Sequence, residues 1–445
     1  VLLAAAVRRF GGVAVRVGRV PGDAGALGAA VPRAVAECDI VVVNAGSAAG
    51  RDDYTSTVFA RLGDVLVHGV AIRPGHPVVL ALAHGSAGRR IPLFGIPGYP
   101  VSAALCAELF LQPVVERLAH VEPADSATFD VTLTRKLFSP LGEDEFVRVV
   151  AARVGERVVA VPLRRGAGVI TSLSRANAIV TISRFTEGAH AGTTFAARAL
   201  RSRGSIERTM LAVGSHDVAI DLLAGALAER GLELVSANVG SIAGIVALGE
   251  GSTHFAGTHV LDAATGSYND SAIRRYAPGA RIALIAFATR EQGLIVRRGN
   301  PLALQSLADV AARRARYVNR QKDAGTRMLL DALLARDRIS PAAIDGYDRI
   351  EFTHLAVAAL VADGSADCGL GILAAARALG CDFVPIASEP YELAVLAASL
   401  DDPRFALAIH TMRNAQLRAS IAALGGYETS RAGDVRLVEP ARSLV

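Results

Sequence analysis

Tryptophan is absent from this 445-residue chain, and aromatic residues make up 5% of it. That is too few for the stacked rings that hold single-stranded nucleic acid. Four cysteines, Cys38, Cys106, Cys368 and Cys381, are scattered singly. No Cys-x-x-Cys or Cys/His spacing suited to a metal occurs, so they read as reduced core thiols. No apolar run reaches the roughly 18 residues a membrane helix needs. Leu2–Val7 is too short for a secretion signal and its arginines follow rather than precede it. These absences lead us to expect a cytoplasmic protein with no membrane partner. Charged residues are also sparse, at 20%, and the net charge of +5 is spread among arginines. Such a balance suits small anions better than nucleic acid. The run Arg313, Arg314, Arg316, Arg320 and Lys322 reads first as a solvated face and second as a nucleic-acid patch.

What the chain does have is apolar residues, 51% of the total, and length enough for about three domains. Helical patterns alternate with short β-branched runs over residues 1–120, which predicts an α/β domain with a parallel sheet. Its strands include Val13–Val17 and Ile40–Val43. The pattern changes near Pro123 to polar–apolar alternation, which predicts a small β-barrel or sandwich over residues 121–203. Past a polar linker the α/β alternation restarts over 207–445, a region that could divide into two lobes around Ala288–Arg290.

Three turns carry the chemistry of the first half. Asn44-Ala-Gly-Ser-Ala-Ala-Gly-Arg-Asp-Asp-Tyr54 follows a buried strand and opens a helix, whose N-terminal amides suit an anion. Pro74-Gly75-His76-Pro77 and Ile96-Pro97-Gly98-Tyr99-Pro100 are rigid turns able to hold a loop over a site. In this order, with Val-Ala-Ile-Arg before the second and Val-Ser-Ala after the third, they resemble molybdopterin molybdenumtransferase over residues 1–203. That resemblance implies insertion of molybdate into adenylylated molybdopterin with release of AMP, aided by Mg²⁺, in a homodimer. It implies that Gly46, Ser47, Gly50, Gly98 and Ser102 contact the pterin phosphate, with Arg73 and His76 standing where the family usually has lysines. Asp53 becomes the catalytic carboxylate and metal ligand, although Asp52 and Asp53 also read as a capping pair. Glu108 lies on the helix after the Pro-Gly loop. The family usually has Ser-Gly-Gly-Val-Ser-Val-Gly where this chain has Asn44–Gly50, and it begins with further domains upstream. The chain is therefore expected to be a fragment, or a lineage that has shed part of its catalytic apparatus.

The second half has polar residues at strand-to-helix junctions: Gly214-Ser215-His216-Asp217, Asn238-Val-Gly-Ser241, Gly325-Thr326-Arg327 and Thr353-His354. Each is an N-cap by default, and together they form an oxyanion cradle built from helix N-termini. This half resembles a type II periplasmic-binding-protein-like domain. That resemblance implies a tetrahedral oxyanion such as molybdate, held by Ser215, His216, Ser241, Thr326, Arg327 and His354. His254 and His259 read as core or cleft hydrogen-bonding groups. Two functions follow: molybdenum insertion, or non-catalytic binding and sensing of molybdate, another oxyanion or the cofactor.

Overall fold

The computed structural model describes residues 1–44, 54–122, 127–163, 165–215, 217–322 and 324–438. The chain forms two compact units, Val1–Ala151 with Ala160–Arg203 and Ala152–Val159 with Gly204–Val445. Among the described residues no helix is long and apolar enough to cross a membrane.

The first unit opens with a four-stranded sheet ordered Val41–Asn44, Arg90–Ile96, Val79–His84, Gly63–His68. Val41–Asn44 and Arg90–Ile96 run parallel, as expected of an α/β domain. The other two pairings are antiparallel, so the sheet is mixed. Short connections explain this, because a parallel crossover needs a dozen or more residues. The expected strand Val13–Val17 does not form: Val13, Val15 and Val17 are 90%, 68% and 67% exposed. Phe59, Leu93 and Val79 build the core on one side of the sheet, and Ile96, Ala107 and Leu111 on the other. Helical residues from Pro100 to Leu118 widen into a π-turn at Ala107–Leu111. Pro113 follows, and it has no N–H to close a normal helical bond.

The small β region closes into a five-stranded barrel. Its order is Ala178–Ile182, Thr194–Ala199, Thr128–Leu133, Arg157–Pro162 and Asp144–Val154, and the last pairs back to the first. Closure removes exposed strand edges.

Two strands of 15 residues organise the second unit, Ile282–Val296 and Asp382–Leu396. They pair antiparallel from Ile282↔Leu396 to Val296↔Asp382. At about 3.3 Å per residue each spans roughly 50 Å, enough to pass through two lobes. One end carries Ile285 and Phe287 into a core with Leu223, Phe255 and Phe405. The other end carries Leu294 and Val296 into a separate core with Tyr317, Leu330 and Leu334. Thr289 to Gln292 interrupt the apolar run, and beyond them Ile295 returns to the first core while Leu294 and Val296 enter the second. The apolar patches on either side of them read as separate strands in sequence, but the backbone is continuous.

Candidate functional site

A charge placed mid-strand between apolar runs must be paired or shift its protonation. Arg290 occupies that position on the first long strand, and Glu389 lies opposite it in register on the second. Arg290 Nε donates to Glu389 Oε1 at 2.7 Å, and Arg290 Nη1 donates to Asp217. All three side chains are 0% exposed. The Arg290 guanidinium also lies over the Tyr391 ring, 4.7 Å from its centroid. Asp217 precedes the helix Val218–Ala228, and its Oδ1 accepts from the Ala219 amide at 2.8 Å and from Tyr427 Oη at 2.9 Å.

Neighbouring elements add polar groups. Gln292 Nε2 donates to Glu389 Oε1 at 2.7 Å and to Thr326 Oγ1 at 3.2 Å. His259 Nδ1 lies 3.1 Å from Glu389 Oε1, off the ideal hydrogen-bond line, and its Nε2 is 2.8 Å from Ser215 Oγ. The His259 amide donates to Ser241 Oγ at 3.4 Å. From the strand Tyr317–Arg320, Arg320 Nη2 donates to the Phe352 carbonyl at 3.0 Å, and Nε to Gln321 Oε1 at 3.4 Å. Gly325 is required here, because a Cβ on it would collide with the His259 ring.

Burial sets the charges. It pushes the Glu389 carboxyl up, but His259 and Arg290 beside it prevail and hold its pKa down at about 2. Burial also lowers His259, leaving the imidazole neutral near pH 7. Arg290 is raised against its burial by Glu389 and Asp217. Arg320 goes the other way: burial, then the nearby Arg290, lower it to about 10. Its guanidinium is the under-compensated charge of the cluster. Several atoms are buried without a hydrogen-bond partner: Arg290 Nη2, Arg320 Nη1, Gln292 Oε1 and Glu389 Oε2. Native interiors rarely leave such groups unpaired without a ligand or ordered water to meet them.

Of the oxyanion residues expected from sequence, Ser215, Ser241 and Thr326 converge on this cluster through His259 and Gln292. His354 is buried at the start of the helix His354–Ala362, and Gly371 abuts it on the strand beside Gln292. Arg327 points elsewhere: it pairs with Asp331 at 3.0 Å and stacks 4.0 Å over the Tyr347 ring. Thr353 is a plain cap, accepting from the Ala356 amide at 3.0 Å. His216 lies outside the described residues. Sequence reasoning missed Arg290, Gln292, Arg320 and Glu389 as site residues. The signal for Arg290 and Glu389 was a charge inside an otherwise apolar strand.

In the first unit, Gly46, Ser47, Gly50 and Asp53 lie outside the described residues. Arg73 and His76 are more than half exposed and share one partner, Glu143, at 2.8 Å from Arg73 Nη2 and 3.3 Å from His76 Nδ1. Gly98 lies in the turn before the helix Pro100–Cys106. Ser102 is buried within that helix, and Tyr99 holds the cap position without a side-chain bond. Glu108 bridges Arg9 and Arg198 at 3.2 and 3.0 Å. Among the described residues no group of three or more His, Cys, Asp or Glu side chains is placed to hold a metal ion, and Asp53 lies outside them.

Comparison with known proteins adds the family. The uncharacterized protein YvgK of Bacillus subtilis (strain 168) is 32% identical over 235 residues, covering 52% of this chain and 74% of YvgK. The chain belongs to the YvgK family. Three family models match parts of it: a molybdopterin binding domain at 1–117, the MoeA C-terminal region (domain IV) at 130–200 and a PBP superfamily domain at 224–413. Molybdopterin molybdenumtransferase of Bacillus subtilis is 28% identical over 181 residues, 40% of this chain and 41% of that enzyme. The chain thus spans about two fifths of the length of this curated relative. The solved molybdopterin biosynthesis MoeA protein of Pyrococcus horikosii is 30% identical with a TM-score of 0.37, covering 45% of this chain and 47% of that one. This YvgK relative therefore combines transferase-type domains with a binding-protein-type domain.

Proposed function

We propose that this protein serves molybdenum cofactor biosynthesis as a binding protein in the cytoplasm. Its first unit holds a molybdopterin compound, and the buried cluster of its second unit holds a small anion. One observation carries the second statement. Arg320 is 3% exposed, its bonds go to a carbonyl and an amide, and Nη1 has no partner. A buried guanidinium in that condition is completed by an anion. Calorimetric titration of the full chain tests this, with phosphate, sulfate, molybdate and pterin-6-carboxylate as probes. Heat with at least one of them is expected, weakened about 100-fold or more in Arg320→Met. Unaltered binding by that variant would remove the proposal.

A second reading is the insertion of molybdate into adenylyl-molybdopterin with release of AMP and help from Mg²⁺, in a homodimer. The adjoining matches to the molybdopterin binding domain and MoeA C-terminal region support it. The pairing of Arg73 with Glu143, which also lies 3.3 Å from His76 Nδ1, favours binding over catalysis, because it partly neutralises a charge that insertion would call on. Molybdate-dependent AMP release that disappears in Asp53→Ala would establish the enzyme; no release would leave the binder.

A further inference from the structure

The donor and acceptor inventory of the buried cluster goes further and rests on the receptor just proposed. Two of its unpartnered atoms donate, Arg290 Nη2 and Arg320 Nη1, and two others accept, Gln292 Oε1 and Glu389 Oε2; His259 Nδ1 also makes no hydrogen bond, with Glu389 Oε1 3.1 Å away. Gln292 is oriented by its amide nitrogen, which must face the Glu389 carboxylate 2.7 Å away, so its oxygen is the free end. A third acceptor follows from His259. A carboxylate only accepts, so the neutral ring carries its proton on Nδ1 towards Glu389, and Nε2 becomes the acceptor. The Ser215 hydroxyl then donates to Nε2 at 2.8 Å and keeps its lone pairs for something else.

We propose that the second unit selects an anion that also brings a hydrogen-bond donor, and rejects fully ionised tetrahedral anions such as molybdate and sulfate. The acid part of the ligand meets Arg320 and Arg290. Its O–H or N–H meets Glu389 Oε2, with Gln292 and Ser215 as further acceptors. A protonated oxyanion has this chemistry, and so does an aminopyrimidinone bearing an acidic group. The charges agree. Glu389 is ionised, so a fully deprotonated oxyanion would set like charge against its free Oε2 with no proton between them. A site built to accept a hydrogen bond loses much of its affinity for the analogue that lacks the donor.

The test is the selectivity of the whole wild-type chain in calorimetry at pH 7.5. There phosphate is mostly a dianion like sulfate and molybdate, but it retains one proton. Binding of phosphate or of pterin-6-carboxylate at least about 100-fold tighter than sulfate and molybdate is expected. A phosphate arm alone would name a protonated oxyanion as the source of the donor; a pterin arm alone would name the heterocycle. Sulfate or molybdate binding within tenfold of both would overturn the inference, while the loss in Arg320→Met would still uphold the receptor. If Arg320→Met binds like wild type, the receptor itself fails. Silence with all four probes overturns both. Glu389→Gln removes the negative charge at constant shape and is expected to collapse the ratio. The wild-type ratio decides even where that variant does not fold.

Discussion

The two units handle cationic groups in opposite ways. In the first, Arg73 and His76 are 55% and 58% exposed at the side chain and share Glu143 near the surface. In the second, Arg290 is sealed with Glu389 and Asp217, and Arg320 is sealed nearby. Water answers for the exposed pair, which leaves its energy small and its partners exchangeable. The sealed group is out of reach of bulk solvent, so each unmatched atom calls for a ligand or an ordered water to meet it. The polar inventory of the second unit therefore constrains what its buried cluster can take, whereas the first unit's exposed pair can exchange partners freely.

Breaking the sealed side has the largest expected effect. Arg290→Met leaves Asp217 and Glu389 buried with no cation between them, which is expected to cost about 3–5 kcal/mol. Urea denaturation of the variant measures it. A loss below about 1 kcal/mol would mean the two carboxylates find other partners.

Acid acts on the same unit through a different residue. Burial, reinforced by Arg404, lowers His254 to about 4 from its ordinary 6.5. Its Nδ1 accepts from the Leu211 amide at 3.0 Å and its Nε2 faces the Arg153 carbonyl at 2.9 Å. Protonation would turn Nδ1 into a donor facing a donor. Between pH 6.5 and 4 the unfolded chain binds this proton and the folded chain does not. Stability is therefore full above about 6.5 and falls with pH through that window, by about 1.4 kcal/mol per unit for one such group. His259 is shifted in the same direction and adds to the slope. Melting temperatures at pH 7 and 5 check this, with a shallower slope expected for His254→Gln.

Much of the fold was legible, and the reasons differ by element. The strand Val41–Asn44 and the glycine-punctuated junctions before helices announced α/β units, because apolar runs and N-terminal polar residues are local signals. Ser215, Ser241 and Thr326 were singled out this way, and the structure brings them to one cluster. The cross-strand pair Arg290↔Glu389 was not, since 99 residues separate its members and register alone brings them together. Likewise Val13–Val17 has the right β-branched residues, but strand propensity needs a partner strand to act on. Arg327 was misplaced for a related reason: helix position was readable, but the side chain follows Asp331, one turn further along the same face.

Arg320→Met sharpens the comparison from inside the sealed site. Burial works against the charge of both arginines, but only Arg290 has carboxylates that outweigh it, so removing Arg320 is expected to leave stability unchanged within about 1 kcal/mol, or to raise it. A protein that melts no earlier yet no longer takes up its anion separates a binding group from a structural one. A clear destabilisation would instead place Arg320 among the groups that hold the lobes together.

The smallest effect belongs to the exposed side. Glu143→Gln frees Arg73 and His76 from their shared carboxylate, and an exposed pair of this kind is worth about 0–1 kcal/mol. The variant should melt within a degree or two of wild type. Its use lies in binding rather than stability. With the carboxylate neutral, both side chains become available to a phosphate, so affinity for a phosphorylated pterin should rise several-fold if Arg73 and His76 face that ligand. The gain should shrink in high salt, since exposed charges are screened. An unchanged affinity would put the pterin's phosphate away from these residues and leave Glu143 with no part in holding it.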